Sequence, residues 1–206
     1  MQGSMLYGHP ESGHAFKVAL ALSLAGVSHH RRRVDIWADP ASRPADFLAA
    51  SPFAEVPCLV TAEGEVLVQS GSILHEIAAR TGRLGGADPV TMRRAREILL
   101  WEANRMGMCL PQLIEHRRVG GRGWPPGAVD WLRMRLAVDQ ARFDRLLGAG
   151  PFLLGHAPTI ADVCVAGYAQ WHDRAGAAPT PAMRGWLDRM RALPGWQEAE
   201  TFFPTS

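Results

Sequence analysis

Alternation of apolar and polar residues is confined to the first third of this 206-residue chain, and from residue 89 onward every apolar pattern repeats at helical spacing. A chain with that switch cannot close one sheet across its whole length. The spacing predicts a small α/β unit followed by an all-helical one. Residues 5–8 read as a strand closed by Gly8-His9-Pro10, and Ala15, Val18, Ala19, Leu22 and Ala25 then fall on one helical face, with Gly26 as its stop. Phe16, Leu20 and Leu24 make the opposite face apolar too, so this helix is expected to be covered on both sides. A half-buried strand over 30–37 follows, then a short helix over 41–50 ended by Ser51-Pro52. Two strands, 56–61 and 65–69, turn at Glu63-Gly64, and a helix over 70–79 takes Ser70 as its N-cap and stops near Gly82.

Gly85-Gly86 marks a linker over 81–88, which divides the chain into a domain at 5–80 and a helical domain at 89–206. Helices are predicted over 89–116, 128–147, 159–174 and 183–193, with Pro111 as a bend in the first. The opening MQGS is left outside the fold, since Met5 is itself a plausible start.

Composition narrows the function. Hydrophobic residues make up 47% and charged residues 20%, enough to bury a core. Lys plus Arg number 22 against 20 for Asp plus Glu, which provides no electrostatic pull toward nucleic acid or an anionic membrane. The run His29-His30-Arg31-Arg32-Arg33 has no interleaved aromatics and reads as a solvated edge. Residues 15–27 are too short to span a bilayer, and Lys17 and the missing basic leader argue against a signal peptide. Cys58, Cys109 and Cys164 are odd in number and far apart, so neither a disulfide scaffold nor a zinc cage organises the fold. A reducing, cytoplasmic setting and no metal are the expectations.

Three places carry possible chemistry. The loop 8–14 precedes a helix N-terminus, where free N–H groups favour an anion; Ser12 either caps that helix or donates to such an anion, and His14 is either a first-turn residue or a second donor. At Val56-Pro57 a strand begins with proline, and a cis bond there would leave the Val56 backbone free to pair with an extended peptide. Gln69-Ser70 joins a strand to a helix and suits a carboxylate as well as a cap. A fourth motif is structural: Thr159-Ile160-Ala161-Asp162 is a capping box with aspartate at its last position.

YGHPESGH at 7–14, FLAASPFAEVPCLV at 47–60, VLVQSGSIL at 66–74 and PTIADV at 158–163, in that order and spacing, resemble the glutathione S-transferase superfamily. The resemblance covers nearly the whole chain. It implies a thioredoxin-like first domain with a mixed four-stranded sheet, a helical second domain, a cis Val56-Pro57 bond and a cytoplasmic homodimer. By its Pro-x-Ser spacing the chain resembles the serine-type members, plant-type and bacterial ones included, which implies that Ser12 donates to the glutathione thiolate. It further implies that Val56 pairs with the cysteinyl part of glutathione, that Gln69 and Ser70 hold its γ-glutamyl end, and that Arg43 stands where relatives carry a lysine for the glycine carboxylate. Tyr7 falls too early to be a catalytic tyrosine. His14 stands where several bacterial relatives have asparagine and Glu55 where glutamine is usual, and an anionic Glu55 would repel the glycyl carboxylate.

What the resemblance implies about function is a transferase that activates glutathione, a co-substrate, for attack on a small apolar electrophile, with no separate cofactor. The electrophile is expected between the His9 loop and the first long helix of the second domain, near Met106, Met108 and Leu110. The tail with Trp196, Phe202 and Phe203 either covers that pocket or packs on the domain. Two other functions share these residues: a glutathione-dependent disulfide reductase with no enzyme cysteine, and a non-catalytic dimerisation or binding module.

Overall fold

The computed structural model describes residues 1–204. Two compact units divide the chain, the first formed by residues 1–92 with the stretch that begins at Leu193, the second by Arg93–Ala192.

The first unit runs β1 (Ser4–Gly8), α1 (Gly13–Leu24), β2 (His29–Arg33), a 3-10 turn (Pro40–Ser42), α2 (Ala45–Ala50), β3 (Cys58–Val60), β4 (Val66–Val68) and α3 (Ser70–Thr81). The four strands form one sheet in the order β2-β1-β3-β4. β1 pairs parallel with β2 and antiparallel with β3, and β3 pairs antiparallel with β4. This is the mixed thioredoxin-like sheet that the sequence pattern and resemblance anticipate. Ser4 is the first residue of β1, opposite His29, so the chain enters the sheet one residue before Met5.

Side-chain alternation sorts the two faces. Tyr7 and Cys58 face each other in register and pack with Phe47 of α2 and Val34, while Leu6 and Leu59, one residue away, are fully buried on the opposite face. β2 is five residues of histidine and arginine on an edge, mostly exposed, where charge blunts pairing with another chain. It ends at Arg33 rather than Trp37: Gly8, opposite Arg33, is the last residue of β1, and the Val34 N–H to its carbonyl is the final bond between the two strands.

α1 is buried from Gly13 to Leu22 apart from His14, including Lys17, as an all-round apolar helix should be. Part of its cover comes from the tail. Trp196 and Phe202 meet the Phe16 ring edge-on at 5.2 and 5.7 Å, and Phe202 and Phe203 are each 1% exposed. The tail therefore packs on α1. Gly8 is the residue that lets it in, for a Cβ there would lie 2.3 Å from the Phe203 ring.

The sequence pattern reads 89–116 as one helix, but the chain breaks it into α4 (Pro89–Ala103) and α5 (Met106–Arg118). The Asn104 side chain takes the Leu100 carbonyl at 3.0 Å, an acceptor that a continuing helix gives to its own backbone, and Arg105 leaves helical geometry at φ −128°, ψ −101°. α6 (Ala128–Leu147), α7 (Ile160–Ala169) and α8 (Pro181–Arg191) complete the second unit, and a short α9 (Ala199–Phe202) lies in the tail. Every residue of α7 is buried. Its N-terminus carries the Thr159–Asp162 capping box, and the Asp162 carboxylate also accepts from Leu153 N–H at 2.9 Å and from Trp186 Nε1 at 3.0 Å. One aspartate thus caps α7, holds the preceding loop and anchors α8, with Trp186 edge-on to Phe143 at 4.9 Å between ring centroids. Met106 and Leu110 are buried in this unit's core. No helix among the described residues is long and apolar enough to cross a membrane.

Candidate active site

β1 delivers the chain into the loop 9–12, and α1 starts directly after it. Ser12 is the N-cap of α1: its Oγ accepts from Ala15 N–H at 3.1 Å, and its backbone N–H reaches the His9 carbonyl at 3.0 Å. The cap uses one lone pair of the hydroxyl and leaves its proton to donate elsewhere. Capping and donation are compatible on one atom. His9 belongs to the turn, with Nδ1 accepting from Glu11 N–H.

On the far side of β3 and β4 the chain enters α3 through Gln69, which adopts φ 64°, ψ 112°. A positive φ on a residue with a Cβ costs about 1–3 kcal/mol and is found mainly where a site requires it. Gln69, rather than Ser70, is the N-cap, and its side chain makes no capping bond. Ser70 is the first helical residue, and its hydroxyl lies 3.3 Å from His14 Nδ1. Burial, with Lys17 adding to it, pushes the His14 pKa down to about 3. The imidazole is therefore neutral at pH 7 and brings hydrogen bonding without charge.

The Val56-Pro57 bond is cis. Pro57 is buried, and neither the Val56 N–H nor its carbonyl has a backbone partner among the described residues. Ser51 fixes the preceding residue from both sides, donating from Oγ to the Glu55 carbonyl and accepting from Glu55 N–H.

These segments converge. His14, Phe53, Glu55, Val56, Pro57, Val68, Gln69 and Ser70 line one pocket of about 90 Å³ that opens to solvent. The positive end of the twelve-residue α3 lies at this pocket with the Ser70 hydroxyl and the Gln69 amide, and Val56, whose backbone has no backbone partner among the described residues, lines it too.

Of the residues the sequence singled out, the fold brings His14, Val56, Pro57, Gln69 and Ser70 together. Ser12 sits two residues before His14, 7% exposed, outside the pocket lining. Arg43 is elsewhere: its Nη2 donates to the Ile36 carbonyl at 3.1 Å and its Nη1 to the Ala54 carbonyl, so it clamps two loops instead of lining the pocket. Thr159 and Asp162 are structural, in the second unit. Phe53, 58% exposed, forms a wall that no pattern in the sequence marks. Burial pushes the Cys58 and Cys109 thiols up to about 11, which leaves little thiolate on either at pH 7.

A solved glutathione S-transferase from Xanthobacter autotrophicus superposes with a TM-score of 0.83 at 27% identity, over 95% of this chain and 96% of the other. Residues 11–80 match the model of the glutathione S-transferase N-terminal domain. This is a glutathione S-transferase fold. Among curated relatives, a maleylacetoacetate isomerase of Pseudomonas aeruginosa is 27% identical over 94% of each chain. Glutathione S-transferase 3 of Zea mays is 26% identical over 97% of this chain and 94% of its own. All the residues that line the pocket fall within 11–80, the stretch that matches this domain model.

Proposed function

We propose that the protein is a glutathione-dependent transferase whose tripeptide lies across the pocket between α1 and α3. The observation that carries this reading is the meeting of three distant segments: His14, the unpaired backbone at Val56 before cis Pro57, and Gln69-Ser70 at the head of α3. In this reading the γ-glutamyl carboxylate takes the α3 N-terminus and the Ser70 hydroxyl. The cysteinyl part pairs with Val56 as an added strand, which brings its sulfur toward the head of α1.

A free thiol, with pKa near 8.5, is mostly protonated at pH 7. The Ser12 O–H and the positive end of α1 favour the thiolate. A downward shift of one to two units, about 1.4–2.7 kcal/mol, raises its fraction about tenfold or more. The thiolate attacks an electrophilic carbon, a carbon–sulfur bond forms, and the leaving group departs with its electron pair. Thiol exchange through an enzyme cysteine is disfavoured by the raised Cys58 and Cys109 pKa values.

The test is calorimetric titration with glutathione, together with turnover of glutathione and a chlorinated nitroaromatic by the wild type and by Ser12→Ala. Binding with turnover that falls in the variant supports the reading; no heat on titration points instead to a binding module. The full-length match to a maleylacetoacetate isomerase favours one further assay, isomerisation of maleylacetoacetate, as a second activity of the same pocket.

A further inference from the structure

The pocket is electrically lopsided. The head of α3 brings Gln69 and Ser70 to it as donors. Glu55 and Phe53, both exposed, line it as well, and no lysine or arginine does so among the described residues. Glu55 enters no ion pair among the described residues either. Arg43, bonded to the carbonyl of the neighbouring residue 54, directs its Nη groups at the carbonyls of Ala54 and Ile36. The loop around Glu55 is held by Ser51, whose hydroxyl bonds the Glu55 backbone in both directions, so residue 55 stays at the pocket.

Resting on the proposed function, we infer that Glu55 selects a γ-glutamyl-cysteinyl thiol whose third residue ends in an uncharged or cationic group, such as a glycyl amide or an amine conjugate, over one ending in a free carboxylate. A ligand paired with Val56 through its middle, with one carboxylate at Ser70, must run its other end past Glu55. A carboxylate there meets like charge, while an amide can donate to the Glu55 oxygens and an amine can pair with them. Two unit charges about 5 Å apart in a watery setting change affinity about fourfold, and salt weakens the effect because the group is exposed.

The experiment compares two probes by calorimetry, glutathione and glutathione with its glycine carboxylate converted to the amide, on wild type and Glu55→Gln. The expected result is about fourfold tighter binding of the amide by wild type, a gap that narrows in ~0.5 M salt and disappears in the variant. Equal affinity, tighter binding of glutathione by wild type, or a gap that persists in Glu55→Gln overturns the role of Glu55 and leaves the glutathione reading standing. Binding of neither probe by wild type overturns both. Residue 55 is on the surface, so the substitution leaves folding intact.

Discussion

His14 Nδ1 lies 3.3 Å from Ser70 Oγ, joining the first turn of α1 to the first residue of α3 across 56 residues of sequence. The two helix N-termini that frame the pocket are thereby held in one arrangement by a pair of uncharged groups. Replacing His14 with alanine should weaken glutathione binding about three- to tenfold, the worth of one lost hydrogen bond. His14→Asn, which keeps a donor and an acceptor at that position, should recover part of the loss. Calorimetric titration of both variants is the check, and equal affinity in all three proteins would remove His14 from the site.

Ser12 has two roles that one substitution cannot separate but two can. Ser12→Ala loses the cap on Ala15 N–H and should cost about 1 kcal/mol of stability along with turnover. Ser12→Asp restores an acceptor at the cap but has no proton to donate, so denaturation should recover while turnover stays low. Recovery of both would reduce Ser12 to a cap.

Acid should destabilise the fold through His14. The unfolded imidazole protonates near 6.5, whereas the folded one resists until about 3, so between those values the unfolded chain binds the extra proton. Stability is therefore highest above pH 6.5 and falls as the pH drops toward 3, with a limit of about 1.4 kcal/mol per pH unit for one proton. His9, His29 and His172, all pushed down chiefly by burial, add in the same direction. Urea denaturation across this range should show a shallower slope for His14→Asn than for wild type.

Gly8→Ala should destabilise the first unit by about 1–3 kcal/mol, because the new methyl lands on the Phe203 ring. Truncating Phe203 to alanine is itself costly, yet the double variant should cost less than the two single changes added together. Strict additivity in thermal or urea denaturation would mean that the two residues do not meet.

Much of this was readable in advance because apolar period and turn residues report on packing directly. The sheet and its helices follow from the short apolar piece at 5–8, the hairpin turn at Glu63-Gly64 and the helical repeat from Ala15, and the family resemblance implies the cis Val56-Pro57 bond. The capping box at Thr159 is a local pattern with a local cause, and it forms as read. What stayed hidden depends on groups far apart in the chain. Arg43 matches a ligand position by counting, yet its guanidinium is taken by two carbonyls that only the folded loops bring near. Ser70 looks like a cap, but the positive φ of Gln69 moves the cap back by one and points the serine at His14. The break before α5 hinges on one asparagine side chain capturing a carbonyl, which helical spacing does not register.

The seating of Phe202 and Phe203 behind α1 has a consequence for biosynthesis. On the ribosome the four strands are made first, and the aromatic pair that covers α1 is made more than 130 residues after the last of them, following the whole helical unit. Until then the face of α1 that Phe16 presents lacks that aromatic cover, and the first unit is completed only after the helical unit has been synthesised.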